Sequence, residues 1–174
     1  MAGTSGSGKS TLAAVIGEAI GLPYVEIDGL FHGPEWTPRP SFDVDVAALA
    51  ARPAWVVEWQ YASARPLLAA RADLAVWLDL PRAVVMRRVI ERTVRRRVLD
   101  VELWNGNREA SLRTVLTDRD HIVRWAWRTH SATGPRVAAL TADRPDLPVV
   151  RLRSPRQVTA WCSGPLATAA RVPG

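Results

Sequence analysis

Lysine is almost missing from this chain: 23 of its 174 residues are basic, and only Lys9 among them is not an arginine. Cysteine is as scarce. The single Cys162 rules out an internal disulfide bond and favours a reducing, cytoplasmic location. No apolar run reaches the roughly 18 residues that a membrane-spanning helix needs. A phosphate-binding motif that begins at residue 3 leaves no space for a signal peptide, so we expect no membrane partner.

Several kinds of site lack the residues that they need. Three scattered histidines and one cysteine form no zinc-binding pattern, and no Ser-His-Asp or Cys-His arrangement supports nucleophilic catalysis. Apolar residues make up 48% of the chain, which excludes a disordered protein, and the length suits one domain with one core. The net charge of +6 is compatible with nucleic acid and equally with a substrate that carries several phosphates.

The only lysine lies within Gly3-Thr4-Ser5-Gly6-Ser7-Gly8-Lys9-Ser10, which has the pattern of a phosphate-binding P-loop. In such a loop the glycines let backbone N–H groups converge on phosphate oxygens. The lysine reaches the β- and γ-phosphates, and the serine hydroxyl can hold Mg²⁺. A helix is predicted over residues 10–20, with its positive N-terminal end toward the phosphates. We expect ATP and Mg²⁺ as ligands. The predicted buried face of this helix carries Leu12, Val15, Ile16, Ala19 and Ile20.

Strands and helices are predicted to alternate along the chain. Strands are expected at 24–28, 54–58, 74–79 and 147–152, and helices at 43–51, 62–72, 81–98, 108–128, 134–141 and 155–162. This order predicts an α/β fold in which crossover helices flank a parallel sheet, as a single domain over residues 1–162 with a flexible tail at 163–174. Val84, Val85, Val89 and Ile90 are the predicted buried stripe of the helix at 81–98.

A P-loop normally follows a buried strand, and only Met1 and Ala2 precede Gly3. A typical strand needs about five or six residues. We therefore expect the first strand to be missing, either because the chain starts inside a longer reading frame or because the strand was lost.

Three predicted strands end in acids, Asp28, Glu58 and Asp79. In open parallel sheets, ligands bind beyond the carboxyl ends of the strands, on the side of the P-loop. Glu58 is the first candidate for the acid near Mg²⁺, with Ser10 as the other metal ligand, and the alternative is a surface glutamate. Asp28 is expected to orient or deprotonate an acceptor hydroxyl, and the alternative is a turn aspartate before Gly29.

Arginines concentrate between residues 88 and 108. Arg88, Arg92, Arg95 and Arg96 repeat at helical spacing, and Arg97 and Arg108 flank a short Asn/Gly loop. We expect a small lid around 95–110 that closes guanidinium groups over the phosphates and excludes water; the alternative is a solvated basic face. The expected catalytic residues are Lys9, Asp28, Arg92 and Arg96. The expected nucleotide-binding residues are Gly3, Ser5, Gly6, Ser7, Gly8, Lys9, Ser10, Thr11, Arg97 and Arg108.

These features together resemble adenylate-kinase-like P-loop proteins, in the group labelled DNA topology modulation proteins. The resemblance covers nearly the whole chain up to about residue 162, and the string Leu103 to Glu109 is its most specific marker. The matching segments, in order, are the P-loop, Glu26 to His32, Trp36, Trp55 to Glu58, Asp73, Trp77 to Pro81, and Glu102 to Glu109.

The resemblance implies a nucleoside-monophosphate-kinase-like fold that uses ATP and Mg²⁺, and it leaves the phosphate acceptor open. The chain departs from the group's Asp-Gly-Asn-Tyr pattern, because Glu58-Trp59-Gln60-Tyr61 stands there. Trp59 is therefore expected to narrow the acceptor pocket.

Three functions remain open at this point. The first is a kinase that moves the γ-phosphate of ATP to a nucleotide, a nucleoside or another small acceptor. The second is a nucleic-acid-associated P-loop protein in which ATP is regulatory. The third is a degenerate nucleotide binder, which a lost strand and a filled acceptor site would both favour.

Overall fold

The structure is a computed structural model that describes residues 1–99, 101–107 and 121–171. Five short strands alternate with helices, as the sequence predicts, and give an α/β fold. The strands are β1 Ala2–Gly3, β2 Tyr24–Val25, β3 Val56–Val57, β4 Ala75–Leu78 and β5 Val149–Leu152. The helices are α1 Lys9–Ile20, α2 Ile27–Phe31, α3 Phe42–Ala50, α4 Ala64–Arg71, α5 Arg82–Val98, α6 Ile122–Thr129, α7 Thr133–Asp143, α8 Pro155–Trp161 and α9 Ala167–Ala169.

All strand pairs in the described chain are parallel. β4 lies between β1 and β5, and β2 pairs with β3. Two hydrogen bonds connect these groups, because the backbone nitrogen of Met1 donates to the Val57 carbonyl at 2.7 Å and the Trp59 nitrogen donates to the Met1 carbonyl at 2.7 Å. The strands therefore follow the order β2-β3-β1-β4-β5, and the P-loop leaves the sheet at its middle.

We expected the first strand to be missing, and this is wrong, because the last two residues of that strand are present. Ala2 pairs with Trp77 and Gly3 pairs with Leu78, so both occupy strand positions directly before the P-loop. Ala2 is buried, and it packs with Trp77 and Val137. A strand of two residues carries too little periodicity to be recognised in sequence, and only the pairing partners on β4 reveal it.

The helix of the P-loop begins at Lys9, one residue before the predicted start at residue 10, and buries a slightly different face. Leu12, Ala13, Ile16 and Gly17 are buried, whereas Val15 is exposed. In α5 the buried residues are Val85, Val89 and Thr93, and Ile90, expected in this stripe, is 46% exposed. Both helices follow a spacing of three and four, but the neighbouring elements decide which row faces the core.

In the described residues, two larger apolar clusters hold helices to the sheet, besides the small cluster of Ala2, Trp77 and Val137. The larger contains α1, α5 and Ala126 of α6, packed against Val76, Leu78 and Leu152. The smaller joins α3 and α4 to Ile27 and Val57. Because β1 is central, each cluster presses helices against strands that adjoin the P-loop, and the loop's starting point is fixed from both sides.

The end of the chain differs from the predicted flexible tail. After α8, a π-helical turn at Cys162–Leu166 and then α9 continue the helical path, with Pro165 inside it. Leu166 is only 5% exposed and belongs to the larger apolar cluster. Sequence composition suggested a loose tail, because the one apolar anchor is surrounded by small and polar residues.

The helix predicted over 108–128 is described only in its last part, where α6 begins at Ile122, and residues 108–120 lie outside the described residues. His121 caps α6, since its Nδ1 accepts a hydrogen bond from the Val123 nitrogen at 3.3 Å. Across the described ranges, no helix has the length and apolarity to cross a membrane.

Leu166→Ala should lower the free energy of unfolding by about 2–4 kcal/mol, because it leaves a cavity in the larger cluster. Leu67→Ala is the matched control, since Leu67 also lies on a helix and is 38% exposed. Urea unfolding monitored by circular dichroism measures both. Equal losses in the two variants would show that the C-terminal turn is not anchored in the core.

Candidate phosphate-binding site

The loop from Gly3 to Ser10 has the backbone of an anion cradle. Gly6 and Gly8 have φ angles of 80° and 92°, in the left-handed region that favours glycine. The Ser7 nitrogen donates to the Thr4 carbonyl at 3.1 Å, which closes the turn, and α1 begins directly after Gly8. The free N–H groups of the first helical turn therefore face the space that the loop encloses.

The loop is held from outside by α5. A Cβ atom added at Gly6 would lie 2.0 Å from Val89 Cγ2, and a Cβ at Gly8 would lie 3.3 Å from an Arg88 nitrogen. The Arg88 guanidinium donates to the Ser7 carbonyl at 2.8 Å. The glycines thus serve two needs at once, the turn conformation and the close approach of α5.

Lys9 is 6% exposed, although it is a cation at the start of a helix. Burial lowers the pKa of Lys9, while the negative charges of Asp28 and Glu58 act in the opposite direction and the positive charge of Arg92 lowers it further. The ammonium group is therefore surrounded by charges of both signs. An added phosphate would supply the negative charge that this position favours.

Glu58 is completely buried at the end of β3, so it is not the surface glutamate of the alternative interpretation. One carboxylate oxygen accepts a hydrogen bond from the Tyr24 hydroxyl at 2.6 Å, and the other accepts from the Ile27 nitrogen at 3.1 Å. Burial and this hydrogen bond raise the pKa of Tyr24, and the Ser10 side chain opposes the rise. Both carboxylate oxygens of Glu58 are therefore engaged by protein donors.

Asp28 lies in the first turn of α2, whereas the sequence placed it at the end of a strand. β2 stops at Val25, because the hydrogen bond from Ile27 to Glu58 turns the chain into the helix. The Oδ1 atom of Asp28 accepts hydrogen bonds from Gln60 Nε2 at 2.7 Å and from the Tyr61 hydroxyl at 2.6 Å. Two donors on one oxygen fix the carboxylate plane.

Asp79 does not join this site. Its carboxylate accepts hydrogen bonds from Arg151 on β5, at 2.9 Å from Nε and 2.5 Å from the terminal nitrogen. The Arg151 guanidinium also stacks on the Trp77 ring at 4.3 Å. The acid at the end of β4 therefore ties two neighbouring strands together, while those of β3 and α2 gather at Lys9.

The arginines of α5 divide into two sets. Arg88, Arg92 and Arg96 are partly buried at a spacing of four residues, whereas Arg95 and Arg97 are exposed. Arg88 donates a hydrogen bond to the P-loop. The positive charge of Arg92 lowers the pKa of Lys9, and that of Arg96 lowers the pKa of Glu26. The structure thus sets Arg92 and Arg96 beside the phosphate cradle and its acids. Arg97 lies on the exposed face of α5, and Arg108 lies outside the described residues.

The Asn/Gly loop contacts the segment after α2. Asn107 Nδ2 donates to the Gly33 carbonyl at 2.8 Å, and Asn107 Oδ1 accepts from the Trp36 nitrogen at 2.9 Å. Trp104 donates to Glu26 at 2.8 Å, and its ring lies over Gly29. The described part of the expected lid is therefore bound to the acidic side of the site by amide and indole groups.

Trp59 does not narrow a pocket beside Asp28. Its indole nitrogen donates to the Arg65 carbonyl at 3.0 Å, and its ring packs with Trp77 and Val137. The residues that reach Asp28 are the next two, Gln60 and Tyr61. The contacts with Arg65, Trp77 and Val137 thus hold the Trp59 ring against the core.

The residues of the loop fit a phosphate group. Within the described part of the chain, Thr4 Oγ1 and Ser7 Oγ are buried without a hydrogen-bond partner, and a Cβ at Gly3, Gly6 or Gly8 would meet neighbouring atoms. The described residues contain no group of three or more His, Cys, Asp or Glu side chains able to hold a metal. A magnesium ion would therefore depend on phosphate oxygens and water, with Ser10 as the protein ligand, which is how Mg²⁺ is commonly held.

Four residues of the site were not among the expected ones: Tyr24, Gln60, Tyr61 and Arg88 as a loop contact. Arg88 was recognised only as a member of a basic face, and Tyr24 and Tyr61 as parts of a strand and a motif. Their roles depend on contacts over 32 to 81 positions of sequence, so no local pattern predicts them.

Comparisons of this chain with protein-family models, with curated proteins and with solved structures found no match.

Gly6→Ala should lower the free energy of unfolding by about 2–4 kcal/mol, since it adds a left-handed alanine and a clash with Val89. Gly21→Ala is the matched control. Gly21 has a φ of 67° and open space around it, so only the conformational cost of about 1 kcal/mol remains. Chemical denaturation of both variants gives the difference. Equal losses would contradict the close packing of the loop on α5.

Stability should depend on the protonation of Glu26. Burial raises the pKa of Glu26, with Glu58 and Asp28 adding to the rise, while the Trp104 hydrogen bond and Arg96 oppose it. The folded protein therefore holds this proton more tightly than the unfolded chain, and ionised Glu26 costs stability above its folded pKa. This destabilisation disappears as the pH falls through the folded pKa toward about 4.3, the ordinary pKa of a glutamate side chain.

Glu26→Gln removes this titration and retains an acceptor for Trp104. The variant should exceed the native protein in unfolding free energy at pH 7, and the excess should shrink as the pH falls to 4. Urea unfolding at several pH values measures it. An excess that is constant or that grows on acidification would contradict the raised pKa.

Proposed function

We propose that this protein is a P-loop kinase that transfers the γ-phosphate of ATP to a small acceptor. The carrying observation is the buried Lys9 ammonium at the start of α1, inside a glycine cradle and within the electrostatic reach of Asp28. A phosphate-binding loop alone supports nucleotide binding. The oriented Asp28 carboxylate beside it supports a second substrate, since it could receive a proton from an acceptor.

In this proposal each residue has a separate task. The loop N–H groups and Lys9 bind the β- and γ-phosphates, and Arg92 adds positive charge where the transferred group passes. Ser10 is the protein ligand of Mg²⁺, which neutralises phosphate charge when it is bound. Glu58 holds Tyr24 and the start of α2 in place.

The transfer itself conserves atoms and charge. The acceptor oxygen forms a bond to the γ-phosphorus, the bond from that phosphorus to the β-phosphate oxygen breaks, and ADP leaves. The acceptor hydroxyl proton goes to Asp28, whose position Gln60 and Tyr61 fix. Trp104 donates a hydrogen bond to Glu26, and the charge of Arg96 acts on the same carboxylate, so both support water exclusion on that side of the site.

Lys9→Met should weaken ATP binding about ten- to hundred-fold, because it removes a charge-assisted contact of about 1.5–3 kcal/mol. Asp28→Asn should bind ATP normally and lose acceptor-stimulated ADP release by about a hundred-fold or more. Calorimetric titration with ATP and Mg²⁺ measures the first, and a coupled ADP assay across an acceptor panel measures the second.

Arg156→Met is the control for a lost exposed cation, and it should leave both measurements unchanged. ATP binding as tight in Lys9→Met as in the native protein would refute the assignment of the phosphate site. ATP binding with no acceptor-stimulated turnover across the panel would refute the kinase and favour a nucleotide binder.

A further inference from the structure

The segments around Asp28 form an aromatic wall, here defined as Phe31, His32, Trp36, Tyr61 and Trp104. Phe31 and Tyr61 are stacked with centroids 4.0 Å apart. His32 lies edge-on to Trp36 at 5.1 Å and nearly parallel to Trp104 at 6.2 Å. Trp36 is 40% exposed, so this wall presents ring surface to solvent beside the acids.

The backbone around the wall is held in costly conformations. The four non-glycine residues with left-handed φ in the described chain are Glu35, Trp36, Tyr61 and Asn105, with φ between 55° and 59°. They come from three segments that are far apart in sequence and meet around Asp28. Such conformations persist where the surrounding contacts enforce them, and they cluster at ligand sites.

Hydrogen bonds lock these segments together. Tyr61 donates to Asp28, and its hydroxyl also lies 3.2 Å from His32 Nε2. Asn105 donates to the His32 carbonyl, and Asn107 bridges Gly33 and Trp36. The wall is therefore preformed, which reduces the entropy that a bound ring must overcome.

Among the described residues, the ionisable groups on this side are mainly acidic. Glu26, Asp28 and Glu58 lie close enough that the latter two raise the pKa of Glu26. Arg39 is already engaged, since it pairs with Asp45 at 3.1 Å and donates to Ser41 and the Gly29 carbonyl. The charge of Arg92 affects Lys9 at the phosphate cradle, and the charge of Arg96 affects Glu26 beside it.

We propose that the aromatic wall and Asp28 form the acceptor subsite, and that the acceptor is an unphosphorylated alcohol with a planar ring, such as a nucleoside. The ring stacks on the wall, and its hydroxyl meets Asp28 Oδ2, which none of the described hydrogen bonds uses. Among the described residues, an acceptor phosphate on the wall would meet the carboxylates of Glu26 and Asp28, while Lys9 and Arg92 bind the ATP phosphates in the proposed function. This assignment depends on the proposed kinase function and narrows its substrate.

The test compares matched acceptors at fixed ATP and Mg²⁺. Adenosine and uridine are each paired with their 5′-monophosphates, and glycerol is the alcohol without a ring. ADP release gives kcat/KM, and phosphorus NMR identifies the product. We expect each nucleoside to exceed its monophosphate by about ten-fold or more, because like charges repel across the site. Glycerol should be weaker than the nucleosides.

Glu26→Gln should reduce the preference for the nucleoside over the monophosphate several-fold. The matched control is Glu91→Gln, which removes the same charge from an exposed pair with Arg87 on α5 and should leave the ratio unchanged. Calorimetry should also show a nucleoside binding more tightly than its monophosphate to the protein without ATP.

Preference for monophosphates would overturn the acceptor assignment and leave the kinase intact. Equal use of glycerol would overturn the role of the aromatic wall. If ATP binds through Lys9 and no acceptor of either kind is phosphorylated, the kinase function fails and the acceptor assignment fails with it.

Discussion

The buried positive charge of Lys9 is the constraint on which the site depends. A desolvated ammonium group is costly unless opposite charge lies near it, and here Asp28 and Glu58 supply that charge. Buried carboxylates in turn need donors. Tyr24 and the Ile27 nitrogen serve Glu58, and Gln60 and Tyr61 serve Asp28. One cation thereby fixes the meeting of α1, β2, α2 and the end of β3.

The same reasoning explains why α5 is close to the P-loop. Gly6 leaves just enough room for Val89, and Arg88 binds the Ser7 carbonyl, so the loop rests on apolar and polar contacts at once. Because these contacts are made by successive turns of α5, the next turns carry Arg92 and Arg96 along the site. A helix that supports the loop therefore also sets positive charge beside it.

The described part of the Asn/Gly loop contacts the segment after α2, and the expected arginine lid extends into residues outside the described ranges. In its described portion, amide and indole groups bind it to the segment after α2, where they enforce left-handed backbone at Trp36 and Asn105. Conformational cost of this kind needs several simultaneous contacts. The Asn/Gly loop links the end of α5 to Glu26 and Asp28. The phosphate-binding part of the site and the aromatic wall are therefore joined through this loop.

The sequence by itself determined the alternation of strands and helices and the place of the glycine loop before its helix, because these depend on local spacing and periodicity. Tertiary structure decided the rest. It placed Asp28 on a helix, diverted Asp79 to Arg151, turned Trp59 away and anchored Leu166 in the core. Each of these outcomes depends on a partner far along the chain. The residues that adjoin a charged or aromatic residue in sequence do not indicate which distant residue it will contact.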